Sequence, residues 1–326
     1  MKSEILRLLK ESDDYISGQQ MCDRFHVSRT AVWKAIEQLK KEGYEIEAVR
    51  NRGYRLLESP DIMSEAEIRS LMDTEWAGKN IVYFDEIDST NNRAKELGEK
   101  DGAHGTLFVA DRQVAGKGRR GRVWESPKGI SIYMTILLRP DLIPTKAPML
   151  TLVMAQSVAE GIREVTGMET GIKWPNDIVM NKKKVCGILT EMSTEIDYIN
   201  YVVIGVGINV NQKVFDEELK EKATSLMIET GAPVKRSALI AAVMKHFEKN
   251  YALFMKNGDL SGLQESYNEM LVNRGKEVRI LEPGNEYNAH AYGINETGEL
   301  IVRTQKGEEK HIFAGEVSVR GIYGYV

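Results

Sequence analysis

The chain has 326 residues, of which 42% are hydrophobic and 28% are charged; this is an ordinary composition for a soluble globular protein of two or three domains. Its net charge of −4 argues against general coating of nucleic acid, so any DNA contact must come from a local surface. The sequence offers neither the apolar core of a signal peptide nor a continuous apolar run of roughly 18 residues, so we expect no membrane association. Cys22 and Cys186 lie far apart without metal-ligand spacing, and we expect a cytoplasmic protein in which both are reduced packing residues.

Two helices are predicted near the N-terminus, each preceded by a serine that can cap it. Ser17 precedes residues 18–25, and Ser28 precedes a helix that continues to about residue 42. The second helix has an apolar stripe on one side, which leaves a polar side at the end where a recognition helix contacts bases and phosphates. The residues predicted to bind DNA from this helix are Ser28, Arg29, Thr30, Trp33 and Lys34.

Two strands are predicted next, over residues 44–49 and 53–57, joined by a turn that carries Arg50 and Arg52. Two helices followed by such a hairpin are typical of a winged helix-turn-helix, in which the wing tip contacts the DNA backbone. Because positive and negative side chains nearly balance over residues 1–59, a small helical protein-interaction domain stays the alternative. We place the end of this DNA-binding domain at residue 60, a proline that disfavours helix just before it.

Residues 61–271 predict a central domain with a mixed sheet. Strands are expected over residues 81–84, 106–110, 130–136, 171–174, 178–180, 185–191 and 201–208, and helices over 91–98, 150–165 and 239–251. We expect Ser89 or Thr90 to cap the first of these helices. Interspersed helices and adjacent hairpins favour the α+β class over a doubly wound sheet.

The most informative segment is the loop over residues 116–122, which packs four cations and three glycines into seven residues. Glycine lets backbone N–H groups approach a ligand closely, and arginine can bind phosphate or carboxylate in a bidentate manner. The glycines also spell G-x-G-x-x-G, but a proline, a glycine and a strand follow where a dinucleotide site needs a helix. The loop therefore predicts an anion clamp, and a solvated basic loop that touches RNA or nothing is the alternative.

Several other segments accompany this loop in a fixed order. They are Asp88-Ser89-Thr90-Asn91 upstream, then Lys173-Trp174-Pro175-Asn176-Asp177, residues 182–191 and residues 204–209. Together with the N-terminal region, they resemble the biotin–protein ligase family in its bifunctional form, which is both biotin ligase and biotin operon repressor. The resemblance covers essentially the whole chain.

The resemblance implies a central α/β ligase domain of the class II synthetase type. The carboxylate of biotin attacks the α-phosphate of ATP to give biotinyl-5′-AMP, and a lysine of a biotin carboxyl carrier protein then displaces AMP. Arg119 and Lys184 are implied as the catalytic residues, because preorganised cations stabilise the charge that grows on the phosphate. The implied biotin contacts are Ser89, Thr90, Asn91, Gln113, Gly116, Lys117, Gly118, Arg119, Trp124, Lys184 and Gly187. The implied ATP and adenylate contacts are Arg119, Arg120, Arg122, Asn176, Asp177 and Asn209.

Three details of the ligand site follow from the same resemblance. We expect Mg²⁺ to arrive mainly with ATP, because the sequence shows no metal-ligand cluster, although Asp177 could help to hold it. Lys117 stands where many relatives have a second arginine. The positive charge is therefore kept, but the planar guanidinium with its paired N–H donors is lost. Residues 213–222 resemble the family's adenylate-covering loop, with an ordinary surface helix as the alternative.

Residues 272–326 predict a small β-barrel, with short strands over 277–281, 287–294, 300–304 and 311–313. The resemblance implies an SH3-like barrel that assists with ATP and acceptor protein through Gly315 and Glu316. It further implies a homodimer on operator DNA that biotinyl-5′-AMP favours.

Two other functions are compatible with parts of this pattern. A biotin-sensing transcriptional regulator with little ligase activity would not require both Arg119 and Lys184. A lipoate ligase-like relative would share the core fold, but the arginine-rich glycine loop and the N-terminal domain argue against it.

Overall fold

A computed structural model describes residues 1–282, 285–313, 318–321 and 325 of the chain. Its N-terminal part is a helix-turn-helix with a two-stranded wing. The elements are α1 (Lys2–Lys10), α2 (Gly18–Phe25), α3 (Arg29–Lys41), β1 (Glu45–Val49) and β2 (Gly53–Glu58). The two strands pair in an antiparallel manner, as the sequence predicts.

Both predicted serine caps of this domain are confirmed. The hydroxyl of Ser17 accepts a hydrogen bond from the backbone N–H of Gln20, and that of Ser28 accepts one from Ala31. Such caps satisfy backbone donors that a helix leaves unpaired at its start. Helix α1 was not predicted from the sequence; it packs its apolar side into the same core as α3.

The N-terminal helix-turn-helix and its wing, together the wing domain, contact the rest of the chain through the buried carboxylate of Glu67. Helix α4 (Glu65–Leu71) follows the domain boundary at residue 60 and packs against α1. The Nζ of Lys10 lies 2.5 Å from Oε1 of Glu67, and the hydroxyl of Tyr44 donates to Oε2 at 2.5 Å. A second cation, Arg7, donates to the backbone carbonyls of Ser70 and Met72 at the end of α4.

The central domain is built on a seven-stranded mixed sheet, in agreement with the predicted class. Its elements are β3 (Ile81–Phe84), α5 (Thr90–Gly98), β4 (Leu107–Ala110), β5 (Ser131–Leu138), α6 (Met149–Thr166), β6 (Gly171–Lys173), β7 (Asp177–Met180), β8 (Lys183–Thr194), β9 (Ile199–Asn209), α7 (Leu226–Thr230), α8 (Arg236–Asn257) and α9 (Gln264–Met270). The strand order is β3-β4-β5-β9-β8-β7-β6, in which β3 and β4 are parallel and every other pair is antiparallel.

Helices cover both faces of this sheet, which is why its central strands are apolar on both sides. Helices α6 and α8 pack together on one face, over the main hydrophobic core. Helix α5 covers the other face, where Phe108, Leu137 and Val203 form a smaller core. Side chains alternate between the two faces of a strand, so neighbouring residues of β4, β5 and β9 enter different cores. The sheet is thereby a rigid floor for the loops at its edge.

The C-terminal part is a small all-β unit, as expected. Its strands are β10 (Lys276–Glu282), β11 (Asn285–Ile294), β12 (Leu300–Thr304), β13 (Glu309–Ile312) and β14 (Ser318–Gly321). They form an antiparallel sheet in the order β13-β12-β11-β10-β14. In the described parts of the chain, no helix has the length and apolar character needed to cross a membrane.

Candidate functional site

An inner pocket lies where α5 and the loop of residues 116–122 meet strands β8 and β9. Its volume is about 50 Å³, and it adjoins a much wider outer cleft of about 1350 Å³. All the predicted biotin contacts except Gly116 line the inner pocket, namely Ser89, Thr90, Asn91, Gln113, Lys117, Gly118, Arg119, Trp124, Lys184 and Gly187. All the predicted ATP contacts line the outer cleft, namely Arg119, Arg120, Arg122, Asn176, Asp177 and Asn209. The structure thus gathers the two predicted sets at two adjoining cavities, and their ligands stay predictions.

A network of polar side chains lines one end of the inner pocket. The backbone N–H and the hydroxyl of Thr90 both donate to Oε1 of Gln113, at 2.8 and 3.0 Å. The hydroxyl of Thr135 lies 2.6 Å from Oδ1 of Asn91 and 2.8 Å from the hydroxyl of Thr90. The amide of Asn91 donates to Glu191 at 2.8 Å. These contacts fix the orientation of the pocket's amide and hydroxyl groups before any ligand binds.

The prediction that the side chain of Ser89 or Thr90 caps helix α5 is wrong. Ser89 does precede α5, but its hydroxyl makes no capping hydrogen bond. Thr90 is already the first residue of the helix, and its hydroxyl bonds Gln113 in place of the helix backbone. Ser89 lies buried at the wall of the pocket.

Trp124 forms the opposite wall and requires glycine beneath it. A Cβ on Gly207 would lie 2.6 Å from the indole ring, and one on Gly187 would lie 3.0 Å from it. On β9, which also carries Gly207, a Cβ on Gly205 would lie 2.1 Å from Oδ1 of Asn91. Alternate glycines in β9 therefore open the floor of the pocket. The segment 204–209 was singled out from the sequence, but the role of its glycines was missed; glycine within a strand signals such a close approach.

The basic loop folds back on itself as a narrow hairpin. The backbone N–H of Gly118 donates to the carbonyl of Arg122 at 2.7 Å, and that of Trp124 donates to the carbonyl of Gly116 at 3.0 Å. A Cβ on Gly116 would meet that part of the loop, 2.4 Å from the carbonyl oxygen of Trp124. Gly116 therefore serves the closure of the loop, and its predicted contact with biotin stays a prediction.

Lys184 and Asp177 form an ion pair where the two cavities meet. The Nζ of Lys184 lies 2.5 Å from Oδ1 of Asp177, and 5.2 Å from the ring centre of Trp124. Burial alone would raise the pKa of the Asp177 carboxyl, but the ammonium groups of Lys184 and Lys173 outweigh it and hold that pKa below its ordinary value. Asp177 is therefore a carboxylate that fixes the position of Lys184.

Arg119 is held from the other side of the same junction. Its Nη1 donates to Oδ1 of Asn176 at 2.9 Å, and the amide of Asn176 donates to the carbonyl of Ile188 at 3.0 Å. Burial is the main cause that lowers the pKa of the Arg119 guanidinium from its ordinary value. A cation that is partly removed from water interacts more strongly with a bound anion.

The other cations of the basic loop line different cavities. Lys117 is exposed beside the inner pocket, and its Nζ lies 3.3 Å from Oδ1 of Asn92. Arg120 and Arg122 line the outer cleft only. Residues 217–222 form turns, and so the alternative of a surface helix over residues 213–222 is wrong. Their acidic side chains line the cleft opposite the cations.

Asp177 does not fit the role of a resident magnesium ligand. Its Oδ1 is already paired with the ammonium of Lys184, and its Oδ2 accepts a hydrogen bond from the hydroxyl of Tyr325. Among the described residues, no three histidine, cysteine, aspartate or glutamate side chains lie close enough to hold a metal ion.

The predicted DNA contacts lie together on the surface of the wing domain. Trp33 is 54% exposed on α3, and the other predicted residues are exposed as well, namely Ser28, Arg29, Thr30, Lys34, Arg50 and Arg52. The guanidinium of Arg52 lies 4.2 Å from the ring centre of Tyr15. An exposed tryptophan beside cations forms a surface suited to a nucleic acid, and DNA binding by these residues stays a prediction.

Three residues of the site were not predicted from the sequence. Thr135 lies on β5 inside the polar network, and Lys173 and Tyr325 line the outer cleft. Lys173 belongs to the motif of residues 173–177, but the sequence predicts no role for it. The predicted contribution of Gly315 and Glu316 lies outside the described residues.

Comparison with known proteins matches all three parts of the chain. The Biotin/lipoate A/B protein ligase family matches residues 83–209, an HTH domain matches residues 2–55, and the Biotin protein ligase C terminal domain matches residues 275–320. The Bifunctional ligase/repressor BirA of Bacillus spizizenii is 43% identical over 324 residues, which are 98% of each chain. Its counterpart in Escherichia coli is 28% identical over 96% of this chain and 95% of that protein.

A solved structure of similar fold carries ligands. The biotin protein ligase from Aquifex aeolicus, in complex with biotin and ATP, matches with a TM-score of 0.66 and 34% identity. The match covers 74% of this chain and 99% of that chain.

Proposed function

Because this chain belongs to the family of bifunctional biotin–protein ligases and repressors, we propose that its inner pocket binds biotin and its outer cleft binds ATP. The protein is a biotin–protein ligase that also represses transcription.

The inner pocket suits the ureido ring of biotin, which has one carbonyl acceptor and two N–H donors. Thr90, Asn91 and Gln113 bring hydroxyl and amide groups to one end of the pocket, held in place by their mutual hydrogen bonds. Trp124 covers the apolar part of the ligand from the opposite side. A pocket of this kind, with an apolar wall and a few placed polar groups, is typical of small-molecule sites.

One observation carries the assignment of the catalytic residues. Among the described residues, Arg119 and Lys184 are the only cations that line both cavities. A ligand carboxylate that extends from the inner pocket must meet the nucleotide at this junction. Both groups are anions, so their approach is favoured by cations that are already in position.

Adenylate formation follows from this placement. A carboxylate oxygen of biotin attacks the α-phosphorus of ATP, the new P–O bond forms, and the bond to the β-phosphate oxygen breaks to release pyrophosphate. Arg119 and Lys184 stabilise the charge that develops on the α-phosphate, and no proton transfer is needed. We propose that Mg²⁺ arrives with ATP and is held mainly by the triphosphate, since Asp177 is engaged with Lys184.

Transfer to the acceptor uses the same junction. The neutral amine of a lysine on a biotin carboxyl carrier protein attacks the biotinyl carbonyl carbon, an amide bond forms, and AMP leaves with the electron pair of the broken C–O bond. The proton that the amine loses passes to solvent. The wide outer cleft gives the acceptor lysine access to this carbon.

The wing domain gives the protein its second function. We propose that Trp33, Lys34 and the basic turn bind operator DNA, and that biotinyl-5′-AMP favours a homodimer that spans two half-sites. One domain with nearly balanced charge binds DNA weakly, and two linked copies gain from their effective concentration. Binding to operator DNA and to a carrier protein places the protein in the cytoplasm.

Labelled biotin, ATP and an acceptor domain provide the test of the ligase assignment. We expect label to enter the acceptor only when ATP is present, and pyrophosphate to appear without the acceptor. Binding of biotin with neither product would favour a sensor without catalysis.

A further inference from the structure

Tyr325 reaches the catalytic junction from outside the central domain. It follows β14 in the sequence and lines the outer cleft beside β6 and β7. Its hydroxyl donates to Oδ2 of Asp177, and the Nζ of Lys173 lies 3.6 Å from the centre of its ring. A tyrosine in this position can act on both a carboxylate and a cation of the site.

The two oxygens of Asp177 have different partners. Oδ1 lies 2.5 Å from the Nζ of Lys184, and Oδ2 accepts from Tyr325 and lies 4.0 Å from the Nζ of Lys173. A carboxylate held at both oxygens has a fixed orientation, and a charge-assisted hydrogen bond is stronger than a neutral one. The contact from Tyr325 therefore decides which way the other oxygen faces.

We propose that Tyr325 is a positioning residue for adenylate formation, which holds Asp177 so that Asp177 fixes Lys184 between the two cavities. The inference rests on the proposed function, in which Lys184 stabilises the α-phosphate. Without the tyrosine hydroxyl, the carboxylate rotates towards Lys173, and the flexible side chain of Lys184 loses its anchor.

The substitution Tyr325→Phe isolates the hydroxyl, because it keeps the ring over Lys173. We expect the rate of biotin-dependent pyrophosphate release at saturating substrates to fall by roughly ten- to a hundredfold, as for a misplaced catalytic group. The KM for biotin should change less than twofold, since the inner pocket is untouched. Tyr292→Phe, at an exposed tyrosine of β11, is the matched control and should keep the wild-type rate.

A double-mutant cycle separates positioning from an independent role. In an Asp177→Asn background, Tyr325→Phe should cause no further loss of rate, because the carboxylate through which it acts is gone. Additive losses in the double variant would overturn the inference, as would a wild-type rate in Tyr325→Phe alone.

The pH profile gives a readout that a purely structural role would not move. Loss of a donor to the charged carboxylate raises the pKa of Asp177, so the acid limb of the rate profile of Tyr325→Phe should shift to higher pH than in the wild type. An unshifted acid limb contradicts the inference. Lys184→Ala distinguishes a failure of the proposed function from a failure of the role of Tyr325. A full rate in Lys184→Ala refutes the proposed function. An inactive Lys184→Ala together with a fully active Tyr325→Phe refutes only the role of Tyr325.

Discussion

The Nζ of Lys184 lies 2.5 Å from Oδ1 of Asp177, at the boundary between the inner pocket and the outer cleft. The pair keeps a cation in place before either substrate binds. An incoming carboxylate and phosphate then share that cation with Asp177. Catalysis by preorganised charge needs such an anchor, because a cation on a flexible stem would otherwise have to be ordered during the reaction.

The glycine floor predicts that Gly207→Ala weakens biotin binding. The added methyl group would lie 2.6 Å from the indole of Trp124, so the ring must shift into the pocket. We expect the Kd for biotin in calorimetry to rise by at least tenfold, with a smaller effect on ATP. In Gly18→Ala the methyl group meets Tyr54 at an ordinary 3.8 Å, and this control should bind biotin normally. Equal biotin affinity in both variants would show that Trp124 does not wall the biotin site.

His246 predicts a pH dependence of stability. Its ring nitrogens lie 3.2 Å from Glu160 and 2.8 Å from Glu164, between α6 and α8. The hydrogen bond with Glu160 is the largest cause that raises the pKa of His246, and burial opposes it. A raised folded-state pKa contributes stability below the unfolded value of about 6.5, and this contribution is lost as the pH rises through the folded-state value.

The measurement is the difference in Tm between the wild type and His246→Gln at two pH values. We expect the wild type to be more stable at pH ~5.5, where His246 is charged in both states, and the difference to shrink at pH ~8.5. Burial would raise the pKa values of the neighbouring carboxyls Glu160 and Glu164, but their hydrogen bonds outweigh it and hold both pKa values below the ordinary range, so both stay charged over this pH interval. A difference that grows with pH would mean that the histidine is held neutral.

Removal of residues 1–60 should separate the two functions. Operator binding should disappear with α3 and the wing, whereas the groups assigned to ligation all lie beyond residue 80. Ligation should persist in part, because the deletion also removes Lys10 and Tyr44 from the buried carboxylate of Glu67. Adding Glu67→Gln to the truncation should raise its Tm. A folded truncation without any ligation would contradict independent functions.

The repressor account predicts that Trp33→Ala and Lys34→Ala weaken operator binding without changing dimerisation. Both side chains are exposed on α3 and contribute nothing to its buried side. Sedimentation and operator titration, with and without a non-hydrolysable biotinyl adenylate analogue, measure the two equilibria. The analogue must bind the dimer more tightly than the monomer if it is to shift the equilibrium. Equal dimerisation and operator affinity in both conditions would exclude this form of regulation.

The sequence predicted the architecture well where local patterns decide it. The caps at Ser17 and Ser28 and the apolar side of α3 are local features, and the structure confirms them. Helix α1 was missed because no side chain caps its start. Helix α4 was missed although Ser64 caps it in the same way as Ser17 caps α2. At Ser89 the local cap pattern misled, because Thr90 bonds Gln113 across the fold.

Contacts between distant parts of the chain could not be predicted from the sequence. Tyr325 and Asp177 are separated by 148 positions, and nothing in the pattern of either segment specifies their hydrogen bond. Thr135 is similar: its position on a strand predicts a core residue, and only the packing of α5 on β5 brings it to Asn91. The motifs therefore locate the site, whereas the anchors of its charged groups require the fold.

Single-turnover release of pyrophosphate from ATP and biotin tests the central claim most directly. Lys184→Ala and Arg119→Ala should each slow it by roughly 10²–10³-fold, the typical loss for an electrostatic stabiliser of a transition state. Lys182→Ala, at an exposed residue beside the same strand, is the control and should release pyrophosphate at the wild-type rate. A near wild-type rate in either Lys184→Ala or Arg119→Ala would contradict the assignment of these two cations as the catalysts.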